Sequence, residues 1–285
     1  MNGLKLMYFP GCALKSTAED YEKTAIAVAE KLGVELLELE RWNCCGVVFN
    51  VAADAVMHHI AAVRDLIRAQ EMGRKLNDNR LVTICSMCYS TLKRVNQIVK
   101  DDPEKLRNIN EFMDEEEDYE GNIEVIHLLQ VFKDLVGYDK IKEKVSRRME
   151  KIKAASFYGC ALLRPKEVSI DDPEDPKIME ELIEALGAEA VKFPYEIKCC
   201  SSYNVIYDRK ITEETAAEIQ RAAERWGANI IVTTCPLCHY NLNTSKRKNG
   251  IPTIYFTELM AYAFGLEETL SPETLKIFNK ILEEI

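Results

Sequence analysis

The sequence predicts an α/β protein made of two pseudo-duplicated lobes, each with a parallel sheet and each carrying a five-cysteine site. Three observations predict it. All ten cysteines fall into two sets in the same order: Cys12, Cys44-Cys45-Gly46 and Cys85-Ser-Met-Cys88, then Cys160, Cys199-Cys200-Ser201 and Cys235-Pro-Leu-Cys238. Short apolar runs alternate with helical segments in both halves, the pattern of parallel-sheet units. Every cysteine motif follows a strand, and in a parallel sheet those strand ends share the edge where ligands bind.

The elements follow in order. Leu6-Met7-Tyr8-Phe9 reads as a strand ending at Cys12, matched by Ala155-Ser156-Phe157-Tyr158 before Cys160. A helical segment from Glu19 stops at Gly33, and another from Lys177 stops at Gly187, as suits helix C-termini. Second strands, Val34 to Leu39 and Ala190 to Phe193, lead to the cysteine pairs. Long helices come next, from about Ala53 to Leu76 and from near Thr212 to Gly227, the latter with Glu213 and Glu214 suited to its N-terminus. Third strands, Arg80 to Ile84 and Ala228 to Thr234, run into each CxxC. The halves close on matching segments, 125–137 and 253–265. The N-terminal lobe is placed at 1–140, with 101–122 as an insertion, and the C-terminal lobe at 141–285. Tyr138–Lys153 is expected to be a charged connecting helix. Residues 267–285 are expected to be a C-terminal helix capped by Ser271 with Pro272 at its first position.

Composition narrows the function. At 285 residues the chain is long enough for two cores. A net charge of −10 with no basic stripe argues against nucleic acid. The acidic run 114–118 is expected to be a solvated loop, with a docking patch for a basic partner as the alternative. The N-terminus does not read as a secretory signal, and no run is apolar and long enough to span a bilayer. A cytoplasmic location follows as the expectation, and there dense cysteine means metal or redox chemistry rather than disulfides.

Soft thiolates favour iron–sulfur clusters, zinc or copper(I) over hard cations. A cubane cluster or a structural zinc takes four thiolates, and each half offers five. Adjacent residues of an extended chain point apart, so Cys44 and Cys45 share a site only if the backbone turns sharply, which Gly46 permits. The fifth thiolate is either a reactive spare or a bridge between irons.

Tyr8-Phe-Pro-Gly-Cys12, Asn43-Cys-Cys-Gly46 and the 233–242 stretch TTCPLCHYNL carry a resemblance that spans roughly residues 5 to 266. The chain resembles the cysteine-rich CCG domain, and over its length the B-type subunit of heterodisulfide reductase. The resemblance implies two non-cubane 4Fe–4S clusters that together cleave a disulfide. One would be held by Cys12, Cys44, Cys45, Cys85 and Cys88, the other by Cys160, Cys199, Cys200, Cys235 and Cys238. It also implies a ferredoxin-like iron–sulfur partner (the C-type subunit of such complexes), a flavin-containing partner (the A-type subunit), and a small disulfide or thiol substrate. The departure is Ser201, where the family has glycine: it restricts the backbone and adds a hydroxyl able to reach a cluster sulfur.

Other residues near the motifs have functional and ordinary readings. His239, Lys198 and Arg164 are candidates to donate a proton or neutralise an anionic substrate, as are Lys15 and Arg41; taken singly, packing or a surface ion pair is the expectation for each. Tyr89 and Tyr240 read as equivalent residues after each CxxC, packing over the clusters. His58 and His59 are adjacent on a helix and do not face one ligand. His127 reads as a strand–helix junction. Functionally, the chain reads as the disulfide-reducing member of a complex, with electron relay as the alternative and a structural zinc protein as the third reading. It lacks a ferredoxin cysteine run and a G-x-G-x-x-G turn, so electrons come from another polypeptide.

Overall fold

A computed structural model describes residues 3–47, 56–244 and 250–283. The first half runs β1 (Leu4–Phe9), α1 (Gly11–Leu14), α2 (Glu19–Lys31), β2 (Val34–Glu38), α3 (Ile60–Leu76), β3 (Arg80–Thr83), α4 (Ser86–Asp101), α5 (Pro103–Phe112), β4 (Glu124–His127), α6 (Leu128–Gln130) and α7 (Tyr138–Lys142). The second runs β5 (Lys153–Phe157), α8 (Ile178–Ala185), β6 (Glu189–Val191), α9 (Arg209–Arg225), β7 (Ile230–Thr233), α10 (Pro236–Asn243), β8 (Thr253–Tyr255), α11 (Phe256–Ala263) and α12 (Pro272–Glu283).

Two parallel four-stranded sheets result, ordered β2-β1-β3-β4 and β6-β5-β7-β8. The central strands β1, β3, β5 and β7 are buried at every position beyond their first one or two residues, as strands covered by helices on both faces must be. The strand order reverses between β1 and β3, and again between β5 and β7. At such a switch point, connections leave in opposite directions and a crevice opens at the strand ends. Cys12 follows β1 and Cys85 follows β3; Cys160 follows β5 and Cys235 follows β7.

The core is continuous across both sheets. Helix α11 of the second half packs on α2 of the first, where the Thr24 and Thr257 hydroxyls meet at 2.7 Å. The Tyr21 ring stacks on Tyr255 with centroids 3.9 Å apart and planes 3° from parallel. Burying each such ring contributes about 1.5–3 kcal/mol.

Several boundaries differ from expectation for local reasons. The long helix of the first half begins at Ile60, after a 3₁₀ turn at Val56–His58; the expected start at Ala53 lies outside the described residues. Helix α9 begins before Thr212 because the Asp208 carboxylate accepts from the Lys210 N–H at 3.0 Å, and Glu213 pairs with Arg209 instead of marking the first turn. The connecting segment is helical only to Lys142; beyond it Ser146 N–H donates to the Ala263 carbonyl at 2.8 Å, an exit from the helix. The C-terminal helix starts at Pro272, with Ser271 Oγ accepting from Thr274 N–H at 3.1 Å, and 267–269 form a separate 3₁₀ turn. Part of the acidic run is laced to α3: Glu116 pairs with Arg64 and Arg68, and Glu117 with Arg74.

Candidate metal centre

Each site is assembled at a switch point from three strand ends. Gly11 and Gly159 immediately precede the first cysteines, with φ of +72° and +65°. A Cβ on Gly11 would stand 2.8 Å from Cys88 Sγ, and one on Gly159 would stand 3.1 Å from Cys238 Sγ. Only glycine fits both the left-handed turn and that approach. Gly11 belongs to the Tyr8–Cys12 motif, whereas Gly159 stands out only when the two halves are aligned and a glycine directly precedes the first cysteine of each set.

All ten thiols are free of disulfides. Cys12 and Cys44 Sγ lie 3.7 Å apart, Cys45 and Cys88 3.6 Å, and Cys200 and Cys238 3.3 Å. Crowding divides the thiols in each set. Hydrogen bonds from Cys44 and then Cys88 hold Cys45 down to about 5, and the same contact pushes Cys44 up. The bond with Cys160 holds Cys199 down to about 6, and that with Cys238 holds Cys200 at about 7. Cys160 and Cys238 rise in turn, first through the same bonds and then through burial. Thiolate is the form that ligates metal, so each site has ligand-ready sulfurs at neutral pH. Among the described residues no three His, Cys, Asp or Glu side chains are arranged around a single metal ion; the close sulfur contacts are pairwise.

The cysteine pairs turn as the sequence requires. Gly46 has φ +77° and Ser201 φ +66°, so Ser201 adopts the conformation glycine has in the first site. Its hydroxyl accepts from Asn204 Nδ2 at 2.9 Å, and its backbone N–H, at 3.4 Å, is the group that reaches Cys199 Sγ. The first pair is anchored from α3: Asp65 accepts from Asn43 N–H at 2.8 Å and from Asn43 Nδ2 at 3.2 Å. In the second site Asn241 Nδ2 lies 3.5 Å from Cys200 Sγ. Asn241 is a further residue that the sequence did not single out; its spacing three residues after Cys238 on a helix puts both on one face.

The two sites share a wall. Ser86 Oγ meets Thr234 Oγ1 at 2.6 Å, and Ser86 N–H points to the Thr234 carbonyl at 3.4 Å, which joins the two CxxC loops directly. Tyr21 OH lies 3.0 Å from the Ile84 carbonyl and 3.1 Å from that of Thr234, touching the residue before each CxxC. Between the lobes a cleft of about 360 Å³ is lined from one side by Met87 and Arg94 and from the other by Cys160, Arg164 and Tyr203. Cys160 lines it directly, and Val47, two residues beyond Cys45, brings the loop of the first cysteine pair to it.

The remaining candidates separate. Lys15 bridges Glu22 and Glu38 at 2.7 Å each, and Arg41 pairs with Glu71. Lys198 pairs with Glu218 at 2.5 Å and lies over the Tyr195 ring, away from the cleft. Arg164 lines the cleft and stands 3.9 Å from Glu174. His239 stacks on Tyr255 at 4.1 Å, and burial brings it down to about 4, so its ring is neutral at pH 7. Tyr89 and Tyr240 are not equivalent: the residue matching Tyr89, directly after its CxxC, is His239. Tyr89 is buried with its hydroxyl donating to the Val168 carbonyl at 2.9 Å, whereas Tyr240 is half exposed. His58 closes the 3₁₀ turn and His59 is the N-cap of α3. His127 caps α6 at the β4 junction.

Known proteins share this architecture. The cysteine-rich domain family, CCG, matches residues 6–93 and 154–243. The chain is 30% identical to the 8-methylmenaquinol:fumarate reductase membrane anchor subunit of Wolinella succinogenes, over 91% of this chain and 92% of that one. It is 30% identical to a protein of Archaeoglobus profundus described as like the B-type subunit of heterodisulfide reductase, covering 93% and 92%. With the B-type subunit of the ferredoxin/F420H2-dependent CoB-CoM heterodisulfide reductase of Methanosarcina acetivorans it shares 28%, covering 99% and 95%. The crystal structure of a hypothetical protein from Helicobacter pylori shares the fold at a TM-score of 0.68 and 15% identity, over 92% of this chain and 49% of that one. Matched twice by the cysteine-rich domain and alike to heterodisulfide reductase B-type subunits over nearly its whole length, the chain belongs to the CCG cysteine-rich domain family.

Proposed function

We propose that this chain is the iron–sulfur subunit of a heterodisulfide-reductase-like complex, reducing or reversibly forming a disulfide at two non-cubane 4Fe–4S clusters. The observation that carries the reading is the shared wall: two five-cysteine sets at two switch points, with their CxxC loops hydrogen-bonded through Ser86 and Thr234. Cys12, Cys44, Cys45, Cys85 and Cys88 hold one cluster in this proposal, and Cys160, Cys199, Cys200, Cys235 and Cys238 the other. The donor set fits: ten free thiols, with Gly11 and Gly159 keeping a side chain away from Cys88 and Cys238.

Cleaving RS–SR′ to two thiols takes two electrons and two protons, and two clusters held by these cysteines would supply the one-electron carriers for it. The protein's own part is positional. The buried apolar strands fix the loops, Asp65 and Asn43 hold the first cysteine pair, and Tyr21 ties both third-strand ends to one hydroxyl. The electrons arrive from a ferredoxin-like subunit fed by a flavin-containing one. Among the described residues no helix is long and apolar enough to cross a membrane.

A second reading, electron relay to a catalytic partner, is favoured by the relative from Wolinella succinogenes, whose named substrates contain no disulfide. Anaerobic purification tests the proposal: about eight irons and eight sulfides per chain are expected, and about half the iron is lost in Cys85→Ala/Cys88→Ala. Zinc without sulfide would overturn the cluster assignment. Cluster spectra indifferent to every added thiol would leave only the relay.

A further inference from the structure

The two halves match in their cysteines but differ in what surrounds the sulfurs. Cys238 and Asn241 share one face of α10, and the buried Asn241 amide stands 3.5 Å from Cys200 Sγ, within reach of an N–H···S hydrogen bond. Its counterpart in the first half, three residues after Cys88 on α4, is Thr91. Thr91 is also buried, but a threonine hydroxyl sits one bond nearer the backbone than an asparagine amide nitrogen. Among the described residues Thr91 makes no hydrogen bond to a cysteine sulfur. A second difference lies four residues after each first cysteine. There the first half has Ser16, whose hydroxyl donates to the Cys12 carbonyl at 2.8 Å. The second has Arg164, whose guanidinium lies near enough to Cys199 to favour the thiolate there. The Ser201 hydroxyl is not a third such group, being turned to Asn204.

We propose that Asn241 and Arg164 make the second site the more easily reduced of the two, so that the first electron delivered to the chain settles there. This rests on the cluster part of the proposed function and not on its disulfide part. The step is the transfer of one electron from the ferredoxin-like partner, with no proton or group transferred. It leaves one more negative charge on the iron–sulfur group and its thiolates. A donor aimed at one ligating sulfur and a cation beside another both favour that added charge, and hydrogen bonds to sulfur are among the factors that set a cluster's potential. Water acts in the same sense at the first site, where Cys12 and Cys44 are exposed. Water dipoles must reorient to do so, whereas the Asn241 amide is already in place, buried in a setting of lower dielectric. The two carriers are thereby ordered, one filling before the other, although their cysteine sets are alike.

The test is a potentiometric titration of the anaerobic holoprotein with dithionite, followed by visible absorption and electron paramagnetic resonance, with iron and sulfide counted on every sample. Two separate one-electron steps are expected. Cys85→Ala/Cys88→Ala, which keeps only the second set complete, should lose the lower step and keep the upper. Asn241→Thr gives the second half the residue of the first, and should lower the upper step about ten-fold in the reduction equilibrium, about 59 mV for one electron, at unchanged iron. Arg164→Gln removes a half-exposed charge that water screens, so it should lower that step by less, and Arg164→Lys should restore it. Thr91→Asn should raise the lower step and leave the upper where it was. Should Asn241→Thr lose second-site iron, Arg164→Gln and Thr91→Asn decide. Coincident steps in the parent, an upper step lost with the first set, or steps that no variant moves overturn the inference and leave the clusters standing. Zinc without sulfide in the parent overturns the cluster reading itself, and this inference with it.

Discussion

Replacing His127 with glutamine should flatten the acid sensitivity of the protein. The ring is fully buried at the β4–α6 junction; Nε2 faces the Ile84 carbonyl at 2.8 Å and Nδ1 accepts the Leu129 N–H at 3.2 Å. That arrangement permits one state, the neutral ring with its proton on Nε2, because a second proton on Nδ1 would oppose the Leu129 N–H. Its neighbours are aromatic, Tyr89 at 5.9 Å and Phe256 at 6.2 Å, and offer no counter-charge. Burial lowers the ring from 6.5 to about 3, outweighing the carbonyl of Ile84. The folded value is depressed, so the contribution to stability is complete above about pH 6.5 and is lost as pH falls toward 3. Between pH 7 and pH 5 the unfolded ring takes up a proton that the folded ring refuses. One and a half units below 6.5, at 1.36 kcal/mol each, comes to about 2 kcal/mol. Anaerobic guanidinium unfolding of parent and His127→Gln at both pH values measures it, and comparing the two proteins cancels whatever else titrates. An equal loss of stability from pH 7 to pH 5 in both proteins would refute the reasoning.

Three further outcomes are expected. Gly11→Ala places a methyl 2.8 Å from Cys88 Sγ in a left-handed turn, and should cost about 2–4 kcal/mol and empty the first site of iron while the second retains it, measured by iron content and melting. Ser201→Val forces a β-branched residue to φ +66° and should lower second-site iron selectively, whereas Ser201→Gly should leave iron content unchanged; loss of iron in both would show that the hydroxyl, not the turn, matters. Tyr21→Phe keeps the stack on Tyr255 but removes the hydroxyl shared by the Ile84 and Thr234 carbonyls, and should cost about 1 kcal/mol in urea unfolding with both sites still loaded.

The duplicated cysteine pattern, the strand before each motif and the glycine after each first helix are all legible in the chain, because they follow from local chemistry: periodicity, turn propensity and the affinity of soft thiolates for soft metals. The parallel sheets follow from the alternation of strand and helix. The pairing of Tyr89 with Tyr240 does not hold, and the chain itself carries the reason: the residue directly after the second CxxC is His239. Helix limits are less legible: α9 begins where the Asp208 side chain accepts from Lys210 N–H, and α7 ends where the chain is drawn to the Ala263 carbonyl. The roles of the charged residues needed the tertiary structure. Lys15, Arg41 and Lys198 stand as near to cysteines in sequence as Arg164 does, but of these four only Arg164 meets the other lobe at the cleft. Arg94 carries no signal in the sequence, lying on a helix as an ordinary basic residue until the second lobe closes over it. A single sequence specifies each lobe through neighbours a few residues apart. The contact of Ser86 with Thr234, 148 residues away, is decided by how two buried faces pack, and that packing turns two separate cysteine sets into one place.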